Sequence, residues 1–157
     1  MTVATRMSQT IRFKFLRDKY GFLSNFAVYP MEINGKKYDT VEHYFQAVKF
    51  DNPDYQEKIR LAPNPPAAKR LGRTRSFPIK ANWDTLRNDV MYDGCLAKFT
   101  QHADIRKKLL ETGDATLVEN SSRDSYWGDA PDGSGQNMLG KTLMNVREHL
   151  KTLDSDE

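Results

Sequence analysis

A chain of 157 residues with 38% hydrophobic and 29% charged side chains has the composition of one soluble domain, large enough for a core of its own. No apolar run approaches the roughly 20 residues that span a bilayer, the first ten residues hold no signal-like apolar segment, and the lone cysteine, Cys95, excludes an internal disulfide. A cytoplasmic protein with no membrane partner is therefore expected. The formal net charge is only +3 but uneven, with Lys58, Arg60, Lys69, Arg70, Arg73, Arg75 and Lys80 set against Asp54 and Glu57. Such a cluster is either a solvated basic face or a site for phosphate, on a small molecule or on nucleic acid.

Residues 11–15, I-R-F-K-F, alternate and predict a strand. Asn34-Gly35, between the alternating segments of 28–41, is a hairpin signal because a tight two-residue turn needs φ > 0 at both central positions. Thr40 is placed to cap a helix to about Phe50, with Val41, Tyr44, Phe45 and Val48 as its apolar face. Pro53 opens a short helix ending near Leu61, and Pro65–Leu71 forms another that Gly72 stops from the C′ position. Asn82 or Asp84 starts a longer helix to about Gln101, with Leu86, Val90 and Met91 inward. Asp104 begins the next, which Gly113 ends. T-L-V-E at 116–119 predicts a short strand, and Leu139, Leu143, Val146 and Leu150 recur at helical spacing in a last helix over about 137–153. The expected fold is a single α+β domain over 11–153, predominantly helical, with a small N-terminal β-hairpin or sheet. Residues 1–10 and the acidic end, 154–157, are expected to be mobile tails.

Residues 119–140, E-N-S-S-R-D-S-Y-W-G-D-A-P-D-G-S-G-Q-N-M-L-G, carry no helical or strand period. Loops that long are uncommon in a compact domain and are usually functional or disordered. Tyr126, Trp127, Met138 and Leu139 offer apolar surface that a fold should bury, which argues against disorder. Asp124 stands three residues before Trp127, and Gly128 and later glycines permit tight turns. That pattern suits a pocket that stacks a flat ligand beside an acid. The same residues also fit an ordered loop whose indole plugs the core and whose aspartates make turns.

Glu42, Gln46 and Lys49 fall at i, i+4 and i+7 and form one polar stripe in the otherwise apolar V-E-H-Y-F-Q-A-V-K-F. The stripe faces solvent or lines a semi-buried cavity, where Glu42 and Lys49 would hold shifted pKa values. Asn25, in Y-G-F-L-S-N-F, reads as a ligand hydrogen-bonder or an Asx-turn residue. Arg73 after Gly72 could aim a guanidinium at a phosphate. Trp83 is core or the second face of a clamp with Trp127. Cys95, in V-M-Y-D-G-C-L-A-K-F, reads as a small buried hydrophobe. His43, His102 and His149 are widely separated, so no zinc site is expected, nor any cofactor.

Y-G-F-L-S-N-F, T-V-E-H-Y-F-Q-A-V-K-F, L-G-R, N-W, A-K-F-T-Q-H, L-L-E-T-G, L-V-E, D-S-Y-W-G and G-Q-N-M-L-G-K-T-L-M-N-V-R follow one another in that order. Each is weak alone, but together, over about residues 11–150, they closely resemble the YbiA-like family, also called NADAR. The resemblance implies an N-glycosidase. One branch of the family cleaves the base–ribose bond of early riboflavin-biosynthesis intermediates, ribosylamino-pyrimidine phosphates, as metabolite damage control. Another removes ADP-ribose from guanine bases of nucleic acid. Both substrates join ribose C1 to an exocyclic amine of a flat heterocycle.

Under that resemblance Glu42 stabilises charge at C1 or activates water, Asp124 orients water or ribose hydroxyls, and Lys49 is the candidate nucleophile if a Schiff base forms. Trp127 and Trp83 would stack the base, and Arg73 and Asn25 would hold phosphate and sugar. Gln46 and Gly128 complete the binding set, with Asn137 presenting N–H groups at the start of the last helix, where an anion is favoured. The expected partner is a small phosphorylated ribosylamino-pyrimidine, with nucleic acid as the alternative. A non-catalytic ADP-ribose-binding or nucleotide-binding module would need Trp127 and Arg73 but neither Glu42 nor Lys49. No oligomeric state follows from these motifs.

Overall fold

The hairpin forms where Asn34-Gly35 placed it, but the N-terminal strand pairs elsewhere. In the computed structural model, which describes residues 9–155, β1 (Thr10–Phe13) lies parallel to β4 (Thr116–Glu119), Thr10 opposite Thr116 and Phe13 opposite Glu119. β2 (Met31–Ile33) and β3 (Lys36–Tyr38) form a separate antiparallel pair. Asn34 at φ 54° and Gly35 at φ 80° make the turn between them. Parallel strands need a crossover, and here it runs from Lys14 to Ala115, so five helices are held between the two halves of one small sheet.

At the centre is α1 (Val41–Val48), which packs against α2 (Pro53–Arg60), α3 (Pro65–Leu71) and α4 (Trp83–Gln101). The Thr40 hydroxyl caps α1 by accepting the His43 N–H at 3.1 Å. His43 is buried, its Nδ1 2.8 Å from the Thr40 hydroxyl and its Nε2 3.1 Å from the Ala62 carbonyl. A carbonyl only accepts, so Nε2 carries the proton and the ring fastens α1 to the α2–α3 connection. α5 (Ala103–Glu111) follows α4, and α6 (Met138–Ser155) lays Leu139, Leu143, Val146 and Leu150 into the core against α4 and β4. Among the described residues no helix is long and apolar enough to cross a membrane.

Several boundaries shift. Thr10 belongs to β1 rather than to a tail, and the strand ends at Phe13. Asp154 and Ser155 continue α6, the Gln9 carbonyl accepts the Thr116 N–H at 2.8 Å, and residues 1–8 and 156–157 of the two expected tails lie outside the described residues. Helix α5 starts at Ala103, with Asp104 in its first turn, and Gly113 past its end has φ +62° as expected. Gly72 does not. Its φ of −67° is right-handed, and it is the C-cap of α3 rather than the position beyond. A Cβ there would lie 2.0 Å from Gln46 Oε1. The Gln46 side chain of α1, not turn geometry, is what favours a residue without a side chain here.

Cys95 is buried, and burial pushes its thiol up to about 12. Lys98 is the unforeseen core residue. It is 1% exposed, its Nζ donates to Phe22 O at 2.6 Å and Ser24 O at 3.0 Å, and burial lowers its pKa to about 8. This amine pins the Gly21–Leu23 turn that leads to Ser24 and Asn25. Lys98→Ala leaves a cavity, takes this donor from the Phe22 carbonyl and leaves the Ser24 carbonyl with the Ala27 N–H alone, so it is expected to destabilise by about 3 kcal/mol or more in denaturant unfolding. A loss below 1 kcal/mol would mean that the turn holds itself.

Candidate active site

One cavity of about 330 Å³ collects most of the residues with chemical potential, a size that suits small-molecule sites. Glu42, Phe45, Gln46 and Lys49 form its α1 wall, and Lys69 and Arg73 come from the end of α3. Trp83, Arg87 and Met91 recur at i, i+4 and i+8 along α4 and so share a face. Ser24, Asn25 and Phe26 close one side, and Glu119, Asp124 and Trp127 another. Of the ten residues singled out in sequence, Glu42, Lys49, Asp124, Asn25, Gln46, Arg73, Trp83 and Trp127 meet here.

The polar stripe of α1 faces this cavity because every other side of the helix is taken by core. Glu42 is 7% exposed, and its Oε1 accepts the Gln46 amide at 2.9 Å. Burial raises its pKa, opposed by the Gln46 bond and by the Lys69 and Lys49 charges, while Asp124 adds to the rise. Lys49 donates to the Gly72 carbonyl at 2.8 Å. Its pKa is lowered, by burial first and by Arg73, with Glu42 pulling the other way.

Asp124 serves both expected readings. Its Oδ1 accepts the Tyr126 and Trp127 N–H groups at 2.9 and 2.8 Å, a turn that sets the indole, and its side chain still lines the cavity. Trp83 is buried and Trp127 half-buried, and both pack on Phe45, with ring centroids 5.0 and 5.4 Å away. Among the described residues the Asn25 side chain has only sulfur partners, Met91 Sδ at 3.3 Å and Cys95 Sγ at 4.0 Å, which are weak and leave the amide capacity for a ligand.

Asn137 and Gly128 are not among the lining residues. The Asn137 side chain bonds β4 as another strand would, donating to Leu117 O at 2.9 Å and accepting the Glu119 N–H at 3.0 Å. Its own N–H goes to Gly128 O, and those of Met138 and Leu139 go to Tyr126 O and Trp127 O. The N–H groups expected to greet an anion are thus satisfied by the loop itself. At Gly128 a Cβ would lie 2.5 Å from Ser121 Cβ. Both residues hold the loop that carries Asp124 and Trp127.

Glu119 and Arg87 were not singled out in sequence, and Lys69 was named only within the basic cluster. The signals existed. Glu119 stands two residues after the fully buried Leu117, so strand alternation turns both inward. Arg87 lies one helical turn past Trp83, its guanidinium 3.6 Å over the Tyr126 ring and its Nε buried without an acceptor among the described residues. Glu119 is pushed up to about 7 by burial, then by Asp124 and Glu42, with Lys69 opposing. Among the described residues no group of three or more His, Cys, Asp or Glu is placed to hold a metal ion.

Comparison with known proteins is consistent with this geometry. A family model described as NADAR domain matches residues 13–151. The N-glycosidase YbiA of Escherichia coli is 47% identical over 140 residues, 89% of this chain and 88% of that protein. A Vibrio vulnificus protein named as a riboflavin biosynthesis protein is 39% identical over 145 residues, 92% of this chain but 40% of its own length. The NMR structure of E. coli YbiA superposes with a TM-score of 0.90 at 44% identity, covering 97% of this chain and 91% of that one.

Proposed function

We propose, since this chain belongs to the NADAR domain family, that this N-glycosidase hydrolyses the bond between ribose C1 and the exocyclic amine of a ribosylamino-pyrimidine 5′-phosphate, releasing a free pyrimidine and a sugar phosphate. The observation that carries the reading is the shared cavity, in which Glu42 and Asp124 stand with Trp127 and with Lys69, Arg73 and Arg87. An acid is needed beside C1, a flat apolar wall beside the base, and cations beside the phosphate. The +3 net charge favours a small molecule over a nucleic acid, whose enzymes carry a broader basic footprint. The riboflavin name of the Vibrio relative supports the same substrate class.

Breaking an N-glycosyl bond builds positive charge at C1 and negative charge on the departing base. Glu42, buried on the cavity wall, stabilises the first and takes a proton from the group that attacks C1. Asp124, fixed by two backbone N–H bonds, orients that group or the ribose hydroxyls. The attacking group is water or the Lys49 amine, whose pKa burial has lowered. Asn25 and Gln46 supply amides to the sugar, Trp83 and Trp127 flank the base, and Arg73 with Lys69 and Arg87 take the phosphate.

The test is a parallel assay of the purified protein on a ribosylamino-pyrimidine phosphate and on an oligonucleotide bearing ADP-ribosylated guanine, with mass spectrometry of the products. Free pyrimidine and pentose phosphate from the first substrate are expected. Turnover of the oligonucleotide alone would move the assignment to nucleic acid. Tight binding of ADP-ribose with no turnover of either would make the domain a binding module.

A further inference from the structure

We propose that Glu119 is a further catalytic residue of this pocket, the general acid that protonates the departing base. The inference rests on the N-glycosidase reading above and deepens it. Glu119 ends β4 on the same side as Leu117 and lines the cavity that holds Glu42 and Asp124. Its Oε2 is buried and meets no hydrogen-bond donor among the described residues. The other two carboxyls are differently placed. Glu42 accepts the Gln46 amide, and Asp124 accepts two backbone N–H groups, bonds that favour the ionised form. Among the described residues no side chain donates to Glu119, so of these three carboxyls it is the one free to offer its own proton.

The neighbouring charges divide the roles in the same way. Glu119 is faced by Glu42 from α1, Lys69 from α3, Cys95 from α4, and Asp124 and Asp129 from the loop, with Asp129 itself paired to Arg12 at 2.6 Å. Burial, Asp124, Glu42 and Asp129 push its pKa up to about 7 against Lys69 alone. Glu42 feels Asp124 as its one raising carboxylate neighbour and is drawn down by two lysines. The surrounding carboxylates thus weigh most on Glu119, which keeps a proton up to about neutral pH. Different hydrogen-bond partners and neighbouring charges on two carboxyls of one site are what give one the acid role and the other the base role.

The step balances. As the C1–N bond breaks, its electron pair stays on nitrogen, which takes the Glu119 proton and leaves as a neutral amine. The nucleophile, water or the Lys49 amine, bonds to C1 and passes its proton to the Glu42 carboxylate; where it is Lys49, water then hydrolyses the sugar–Lys49 bond, releasing the sugar phosphate and restoring the amine. Solvent returns that proton from Glu42 to Glu119.

Two substrates with the same phosphoribosyl group test the proposal: the ribosylamino-pyrimidine, whose leaving nitrogen needs a proton, and a nitrophenyl riboside 5-phosphate, whose phenolate does not. Glu119→Gln is expected to slow the first about 100-fold and the second less than about threefold. Wild-type kcat/KM on the first substrate should fall as pH rises through about 7, a limb absent from the variant. Glu42→Gln should slow both substrates. Equal losses on both substrates with Glu119→Gln, or none, overturn the assignment. Should that variant not fold, a series of aryl ribosides with the wild-type enzyme decides: rates nearly independent of leaving-group basicity below the limb support it, and a steep dependence at every pH overturns it. Wild-type turnover with the wrong pattern sinks Glu119 alone, whereas wild type inert on both substrates sinks the N-glycosidase reading and Glu119 with it.

Discussion

Glu42→Gln is expected to release base at least ~100-fold more slowly than the wild type at saturating substrate, the scale on which a general acid–base residue acts. The substitution is nearly isosteric, and its amide oxygen still accepts the Gln46 N–H that Glu42 Oε1 now receives. In the proposed mechanism, what disappears is a negative charge beside C1 and the site that takes the nucleophile's proton. Stability should move in the opposite direction. Burial raises the folded-state pKa of Glu42 above that of the unfolded chain, so the folded protein binds this proton more tightly. The stability that follows is fully present below the unfolded value, about 4.3, and is lost as pH rises through the folded value. Gln carries no charge to desolvate, so the variant should melt above the wild type at pH 8, with the gap closing near pH 4. Turnover close to the wild type would remove Glu42 from the mechanism, whatever its melting temperature.

Lys49→Ala should lose turnover on a similar scale, at least ~100-fold, because the residue is asked to be a nucleophile. In the proposed covalent route the ribosylamine opens to an imine at C1, and the Lys49 amine attacks that carbon and expels the base, leaving a Schiff base to the sugar phosphate. Burial and Arg73 make the free amine more accessible than in an exposed lysine, and the Gly72 carbonyl orients it. Borohydride added during turnover should therefore fix the sugar phosphate to Lys49 as a secondary amine, found by mass spectrometry in the wild type and absent from Lys49→Ala. No adduct together with an active Lys49→Ala would rule out the covalent route and leave water as the attacking group. No adduct with an inactive variant would assign Lys49 to charge stabilisation.

Most of the helices were legible because local chemistry and tertiary packing ask for the same thing. Thr40, Asn52 and Asn64 cap α1, α2 and α3 by accepting the N–H three residues on, and Pro53 and Pro65 sit where no N–H is needed. The apolar spacing of α6 and its four buried residues agree for the same reason. The parallel partnership of β1 with β4 was not legible, since the partners lie at opposite ends of the domain and nothing in four residues names a distant strand. Gly72 was misread because a glycine after a helix usually marks a left-handed residue, whereas here it answers to the Gln46 side chain of another helix. Asn137 was misread because its hydrogen-bonding capacity was visible but its partners, in β4 and the loop, were not.

The amino-acid order alone determined the helical faces, the hairpin and the polar stripe of α1, because period, caps and turn residues act within a few positions of one another. It also marked Asp124 and Trp127 as one unit, since an aspartate that accepts the N–H groups two and three residues on is a local device. Tertiary structure alone decided that this unit, the α1 stripe and the Trp83–Arg87–Met91 face share one cavity, and that Asn137 and Gly128 stand outside it. It alone turned Glu119 from the last residue of a strand into a buried carboxyl among other acids, and Lys98 from a helix-surface lysine into a core fastener. The reason is physical: hydrogen-bonding capacity and charge belong to each residue, but burial and the nearest opposing charge belong to whatever the fold brings alongside.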